Sequence, residues 1–173
     1  ASCFPSSLVL ERALRELRQL QGVAAPQMVR VLGSGKVEAG PGAGGIYEVN
    51  EAVVGKTADQ LGALGEAAAA QTVSAVGEAL LAAQKVGVIH RNLGPNTVIG
   101  SGPQARVFGF AVGEPQPREG ASGSLSTMAP EQVQGKVVDQ RSLIYNLAAL
   151  THQLITGFPL FGGDAVAVMN AHE

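Results

Sequence analysis

The chain has 173 residues, of which 46% are hydrophobic and 15% are charged, and its formal net charge is -2. This length supports one sizeable hydrophobic core rather than two. A pI near 5.9 and an aromatic content of 4% exclude the basic surface and stacking side chains expected of a nucleic-acid-binding protein. A single cysteine, Cys3, excludes a disulfide scaffold and a cysteine-rich metal site. No apolar stretch reaches the roughly 18 residues that a membrane span needs, and no signal peptide is visible.

Hydrophobic spacing predicts three helices. Leucines three and four residues apart between Leu8 and Gln21 predict an amphipathic helix that ends at Gly22. The alanine-rich segment 66–87 predicts a second helix. The largely apolar segment 140–156 predicts a third helix, buried at the centre of the domain and ended by Gly157.

Two hairpins are predicted from short β-rich segments. The first joins segments 28–32 and 46–50 through the glycine-rich connection 33–45, and the second joins segments 97–99 and 105–108. Within the first connection, Gly40 to Gly45 has the glycine spacing of a dinucleotide-binding loop. Such a loop opens a helix, whereas a strand follows here, so a turn is predicted instead.

The segment 114–126 is rich in proline, glycine and serine and nearly devoid of apolar residues. Such a composition is typical of surface loops, because these residues bury little area and favour turns. We therefore expect an exposed, mobile loop here.

Three motifs follow one another in the middle of the chain. His90 to Thr97 reads His-Arg-Asn-Leu-Gly-Pro-Asn-Thr, Gly109 to Ala111 reads Gly-Phe-Ala, and Ala129 to Glu131 reads Ala-Pro-Glu. In order and spacing they resemble the catalytic region of the eukaryotic-type protein kinases, where the motifs are His-Arg-Asp-Leu-x-x-x-Asn, Asp-Phe-Gly and Ala-Pro-Glu. The sequence is similar in particular to bacterial serine/threonine kinases.

The resemblance covers nearly the whole chain. The first helix resembles the family's αC helix, with Glu16 at its ion-pair position, and residues 138–161 resemble the αF helix and the turn after it. This implies an α+β protein kinase-like fold, chiefly the helical C-lobe with the αC helix and part of the N-lobe sheet. Residues 1–173 are expected to form one partial domain, with an N-lobe remnant at 1–50 and a truncated C-lobe at 51–173. The lysine that pairs with the αC glutamate in the family would precede Ala1, so the sequence shows no partner for Glu16.

Four positions depart from the family in ways that remove phosphoryl-transfer chemistry. Asn92 replaces the catalytic aspartate, and the loss of a general base costs roughly 10²–10⁴ in rate. Gly94 replaces a lysine that would stabilise the transferring phosphate. Thr97 and Gly109 replace the two ligands of Mg²⁺. The resemblance therefore implies no enzyme activity, no metal site and no cofactor, and it leaves open weak, metal-independent ATP binding.

Other positions matched to the family imply binding or regulation. If nucleotide binds, the resemblance places it at the hinge, against Asn50 at the gatekeeper position, Glu51 and Val53. Phosphate on the loop could pair with an arginine and order the segment, although a plain solvated loop explains the same composition. The regulatory candidates are Arg91, Ser122, Ser124, Ser126 and Thr127.

Two scaffold contacts of the family are also altered. Leu143 stands where the family buries an aspartate on αF, so apolar packing is expected there. Glu131 usually meets an arginine that would lie beyond Glu173. Departures from the family are therefore spread along the chain.

The resemblance thus implies a pseudokinase that acts as a regulatory or scaffolding protein-binding module in bacterial serine/threonine kinase signalling, with a link to the cell wall. The expected partners are an active serine/threonine kinase or a phosphopeptide-binding forkhead-associated domain. A cytoplasmic location is expected, including that of the cytosolic domain of a membrane protein. Two alternatives stay open: an ATP-binding switch, and a residual, unconventional kinase.

Overall fold

The computed structural model describes residues 7–40, 42–110 and 125–172. The helices are α1 (Ser7–Gln21), α2 (Ala58–Leu61), α3 (Glu66–Lys85), α4 (Pro130–Val133), α5 (Gln140–Thr156) and α6 (Ala165–His172). The strands are β1 (Val31–Lys36), β2 (Ile46–Asn50), β3 (Val98–Ile99) and β4 (Arg106–Val107). Short 3₁₀ turns span Pro95–Thr97 and Gly102–Gln104. The three predicted helices are confirmed, and α2, α4 and α6 were missed.

Helix α1 packs its leucine-rich face against the β1–β2 hairpin. Leu14, Leu17 and Leu20 are buried, while Arg15 and Arg18 are exposed. This is the arrangement that a helical stripe of apolar residues produces, because burial of those side chains supplies the stabilisation that the isolated helix lacks.

The first hairpin is antiparallel, as predicted, but its first strand lies further along the chain. Strand β1 begins at Val31 and continues to Lys36, which pairs with Ile46. The prediction that the strand starts at Met28 is wrong, because the backbone of Met28 bridges in parallel to Val107 of β4.

Glycines inside β1 escaped prediction because they usually mark turns. In the structure, Gly35 lies directly opposite Tyr47, whose ring covers it. A Cβ at Gly35 would be 2.6 Å from the hydroxyl oxygen of Tyr47. The aromatic ring therefore supplies the packing that a glycine in a strand lacks.

Helix α3 supports the second hairpin, which the sequence predicted and the structure confirms in shorter form. Val98 pairs with Val107 in an antiparallel arrangement. The Thr72 hydroxyl donates to Ala68 O (2.7 Å) and accepts from the Gly102 backbone N–H (2.7 Å), fastening the hairpin turn to the helix. Small side chains make this close approach possible, and the buried positions of α3 are Ala69, Thr72, Ala75, Val76, Ala79, Leu80 and Ala83.

One buried core joins these elements. It includes Leu17 and Leu20 of α1, Val31 of β1, and residues of the later elements, among them Val76, Leu93, Val107, Leu143 and Leu150. The predicted division between residues 1–50 and 51–173 stays a prediction, and the core crosses it.

Helix α5 begins and ends where the sequence predicted. Asp139 caps its first turn by accepting from the Arg141 backbone N–H (2.8 Å). The expectation that this helix is buried at the centre of the domain holds for one side only, since within the described residues Ile144 and Ile155 are 69% and 42% exposed. Within the described residues, α5 is covered mainly on the side that faces α3 and the loop after it.

Replacing Gly157 by alanine should destabilise the protein by about 1–2 kcal/mol, the cost of a left-handed backbone for a residue with a Cβ. Gly157 has φ 77° at the end of α5, and its added methyl would lie 3.2 Å from the backbone nitrogen of Ala63. Urea unfolding measures the change.

The matched control is Gly77→Ala inside α3, where an added methyl meets no atom of the described residues within 4 Å. This substitution should stabilise by up to about 1 kcal/mol, because alanine is the better helix former. Equal destabilisation by both substitutions would contradict this account of Gly157.

Candidate functional site

The loop between α3 and β3 carries the first kinase-like motif, and His90 anchors it. The His90 ring is fully buried and its Nε2 lies 3.0 Å from Phe108 O, while its Nδ1 accepts from the Asn92 backbone N–H (3.2 Å). Because Nδ1 accepts, the proton of the neutral ring is on Nε2 and points at Phe108 O. Burial lowers the pKa of His90 to about 4. His90 is therefore neutral at physiological pH and structural.

The next residue, Arg91, forms a double hydrogen-bonded ion pair with helix α1. Its Nη1 donates to Glu16 Oε2 (2.8 Å) and its Nη2 to Glu16 Oε1 (2.9 Å), and both side chains are largely buried. Nη1 also donates to Ile89 O (3.3 Å). Glu16, for which the sequence shows no partner, is therefore paired with Arg91 in the structure.

Of the four substituted positions, Asn92, Gly94 and Thr97 lie together in this loop. The Thr97 hydroxyl donates to Gly94 O (2.8 Å) and accepts from the Gly94 backbone N–H (3.1 Å). It is buried and closes the loop on itself. Within the described residues, Asn92 Oδ1 accepts no hydrogen bond.

The fourth substituted position lies beside this loop. The Phe108 backbone N–H donates to Thr97 O (3.1 Å), which places Gly109 next to the loop with φ 80°. The ring of Phe110, the following residue, lies 4.6 Å from that of His90. The structure thus brings all four substituted positions to one place.

Neutral side chains after residue 124 hold the loop from the other side. The Thr127 hydroxyl donates to Leu93 O (2.5 Å), and Gln132 Nε2 donates to Arg91 O (2.9 Å). Asn146 of α5 joins both, because its Nδ2 donates to Thr127 O and to Gln132 Oε1 (2.7 Å). Backbone carbonyls of the loop are therefore anchored by hydroxyl and amide groups.

Part of the expected exposed loop is buried. Ser126 and Thr127 are 7% and 0% exposed, and Ser126 Oγ donates to Gln153 Oε1 (3.1 Å). The prediction that the exposed segment reaches Ser126 is wrong, because Leu125 packs with Met128 and α6 and draws its neighbours inward. Ser122 and Ser124 lie outside the described residues.

The hinge candidates lie at the end of β2 and directly after it. The Glu51 carboxylate accepts from the Arg30 backbone N–H (2.7 Å) and from Arg106 Nη2. These hydrogen bonds, from Arg30 first and Arg106 second, lower the pKa of Glu51. Asn50 ends β2, and Val53 is partly exposed. The Glu51 side chain is therefore engaged by protein groups.

The two altered scaffold positions behave differently from one another. Leu143 is buried in the main core, which confirms the apolar packing expected there. The Glu131 carboxylate accepts from the Ser142 hydroxyl of α5, a contact between residues eleven positions apart. Sequence reasoning missed Gln132, Asn146 and Arg106, because amides and a surface arginine carry no motif.

Among the residues that the structure describes, no group of three or more His, Cys, Asp or Glu side chains is placed to hold a metal. In the same part of the chain, no helix has both the length and the apolar character needed to cross a membrane.

The catalytic-loop geometry and the two hairpins around it define a protein kinase-like domain, and solved structures agree. The kinase domain of Mycobacterium tuberculosis PknI superposes with a TM-score of 0.72 at 22% identity, covering 96% of this chain and 66% of that one. A second PknI kinase-domain structure gives 0.73 at 23% identity, covering 91% and 59%. These likenesses establish the fold.

Sequence relatives point to the same family, although no family model matches the chain. The serine/threonine-protein kinase PknB of Mycolicibacterium smegmatis is 31% identical over 176 residues, covering 92% of this chain and 28% of that protein. The probable serine/threonine-protein kinase PknB of Bifidobacterium longum is 29% identical over 183 residues, covering 95% and 26%. The chain spans about a quarter of the length of these relatives. It belongs to the protein kinase family, as a kinase-like domain related to bacterial serine/threonine kinases.

Lowering the pH should destabilise the protein through His90. Its pKa is about 4 when folded and 6.5 for the free side chain, so the unfolded chain takes up the proton first. The contribution of His90 to the free energy of unfolding is fully present above pH 6.5. It is lost as the pH falls to about 4, at roughly 1.4 kcal/mol per pH unit and about 3 kcal/mol in all. Urea unfolding between pH 7 and 4.5 measures the slope.

The variant His90→Gln keeps a donor for Phe108 O and removes the titration. Its stability should depend less on pH in this window, with a remaining slope from His172, whose pKa burial also lowers. A slope equal to that of the unsubstituted protein would show that His90 does not control it.

Proposed function

We propose that this chain is a catalytically inactive kinase-like domain, a pseudokinase, and that it serves as a regulatory or scaffolding binding module in bacterial serine/threonine kinase signalling. The proposal rests first on the site where a kinase holds Mg²⁺. Kinases use an aspartate and an asparagine there, because the hard cation needs oxygen ligands that also offset phosphate charge. Gly109 has no side chain, and the hydroxyl of Thr97 is committed to Gly94.

The closed position of Thr97 is the observation that carries the proposal. The residue is 5% exposed, and both hydrogen bonds of its hydroxyl run to the backbone of the same loop. Turning that hydroxyl towards a metal would break both bonds and leave buried backbone groups unsatisfied. A neutral hydroxyl would be a weak ligand in return.

The groups that act on the transferred phosphoryl are missing as well. Asn92 offers an amide, which has no basic oxygen to accept the proton of a substrate hydroxyl. Gly94 provides no charge opposite the phosphate. Glu16, which a kinase uses to orient an ATP-contacting lysine, is committed to Arg91. These substitutions support loss of the base, of transition-state stabilisation and of nucleotide positioning together.

A kinase-like domain that catalyses no reaction can still act by binding other proteins. The relatives named above are serine/threonine kinases, and we propose an active kinase of this class or a forkhead-associated domain as partner, in the cytoplasm, with an output at the cell wall. Ser126 and Thr127 are buried, so phosphate on either requires the segment to open. Ser122 and Ser124 are therefore the better candidates for a phosphopeptide that such a domain would recognise.

The proposal predicts that Mg²⁺ adds nothing to nucleotide binding. In a thermal-shift titration of the domain with ATP, the melting temperature should be the same with and without Mg²⁺ at millimolar nucleotide. The paired variant Thr97→Asn/Gly109→Asp restores both metal ligands and should be the form in which a Mg²⁺-dependent rise emerges.

A Mg²⁺-dependent rise in the unsubstituted domain would contradict the inactive site. Without transfer of radiolabelled phosphate to a protein substrate, that rise would favour an ATP-binding switch; with transfer, it would favour an unconventional kinase. The partner part is tested separately, by treating the domain with an active bacterial kinase and measuring forkhead-associated domain binding with and without Ser122→Ala/Ser124→Ala.

A further inference from the structure

Two arginines, Arg91 and Arg106, form hydrogen bonds and ion pairs with residues near the start of the chain, each at a separate place. Residues 7–40 and 42–50, with α1, β1 and β2, are called the N-segment below, and residues 52–110 and 125–172 the C-segment. Arg91 reaches Glu16 in the middle of α1. Arg106 of β4 reaches the chain after α1 and the connecting residue Glu51.

The Arg106 contact binds several groups at once. Its Nε donates to Pro26 O (3.1 Å), and its Nη2 donates to Met28 O (2.7 Å) and to the Glu51 carboxylate. That carboxylate also accepts from the Arg30 backbone N–H (2.7 Å). The guanidinium thus ties β4 to two carbonyls of the N-segment and, through Glu51, to a third point on it.

The Arg91 contact differs in setting but acts across the same boundary. The Arg91 and Glu16 side chains are 12% and 6% exposed, whereas those of Arg106 and Glu51 are 26% and 25% exposed. A bidentate pair this deeply buried cannot open without leaving both charges poorly solvated. Backbone hydrogen bonds next to Arg106 add to its contact. Val29 N donates to Val107 O (2.8 Å), and Val107 N donates to Gln27 O (2.8 Å).

Apolar side chains of the N-segment and the C-segment also pack against one another. Leu17, Leu20 and Met28 of the N-segment share one continuous core with Leu93 and Phe110 of the C-segment. Rotation of one segment against the other would break the buried ion pair, strip Pro26 O and Met28 O of their donors and open this core.

From this geometry we infer that the Glu16–Arg91 ion pair and the hydrogen bonds of Arg106 hold the N-segment and the C-segment together as one rigid body. The position of one segment relative to the other then needs no bound nucleotide to fix it. Opening and closing between two segments is the motion by which many enzymes admit substrate and complete a site. This chain holds one arrangement by its own side chains. A fixed arrangement presents a constant surface, which lowers the entropic cost of binding a partner.

Distances between two spin labels test the rigid arrangement in the full chain without nucleotide. Labels are placed at Lys36→Cys in β1 and Lys85→Cys in α3, both exposed, in a Cys3→Ser background. Pulsed dipolar spectroscopy should give one narrow distance distribution. The variant Arg91→Gln/Arg106→Gln should broaden it towards longer distances, and either substitution alone should broaden it less.

The matched control is Arg141→Gln, which also removes one positive charge. Arg141 is 89% exposed and pairs with Asp139, and both residues of this pair belong to the C-segment. It should leave the distribution unchanged. Circular dichroism verifies that each variant is folded, and Arg106→Gln alone serves if the double variant unfolds.

A broad or two-peaked distribution in the unsubstituted chain would overturn the inference, as would a folded Arg106→Gln or double variant as narrow as the parent. These results are independent of catalysis, because all measurements omit nucleotide. The rigid arrangement could be disproved while the proposed loss of metal binding still holds. Conversely, a Mg²⁺-dependent thermal shift would disprove the inactive site without altering the label distances.

Discussion

The ion pair between Glu16 and Arg91 is the contact on which the rest of this structure depends. It joins residues 75 positions apart, and it fixes helix α1 against the loop that a kinase would use for catalysis. Charges this well buried are stable only when each has its partner in place. Arg91 also marks the start of the loop whose backbone carbonyls Gln132 and Thr127 hold from the other side. Fixing Arg91 therefore positions the loop between α1 and α5.

Neutral side chains hold the loop between α3 and β3 in place. His90 is neutral and holds Phe108 O, and the Thr97 hydroxyl closes the loop onto Gly94. Amide and hydroxyl groups of Thr127, Gln132 and Asn146 anchor it without a buried carboxylate on α5, where Leu143 packs into the core instead. Neutral hydrogen bonds need less compensation for desolvation than buried charges do. In this domain the kinase-like loop is thus held mainly by neutral hydrogen bonds.

Local signals in the sequence predicted the long helices and the place of the loop, but not the contacts that join them. Leucine spacing and the flanking Gly22 and Gly157 define α1 and α5 closely, because both signals act within a few residues. The partners of Glu16 and Arg106 lie far along the chain, and nothing local reports such pairing. Ser126 was placed in an exposed loop because the composition around it outweighed the single apolar Leu125. Family motifs also directed attention to Asn92 and Gly109, and away from Gln132 and Asn146.

The most direct test of the account is a double-mutant cycle on Glu16 and Arg91, using Glu16→Gln, Arg91→Gln and the paired variant in urea unfolding at pH 7. Each single substitution leaves one buried charge unpaired and should cost about 3 kcal/mol. The double variant leaves no unpaired charge. Its loss in free energy of unfolding should therefore be smaller than the sum of the losses of the two single variants by more than about 1.5 kcal/mol. Costs that add to within about 0.5 kcal/mol would contradict the central place given to this ion pair.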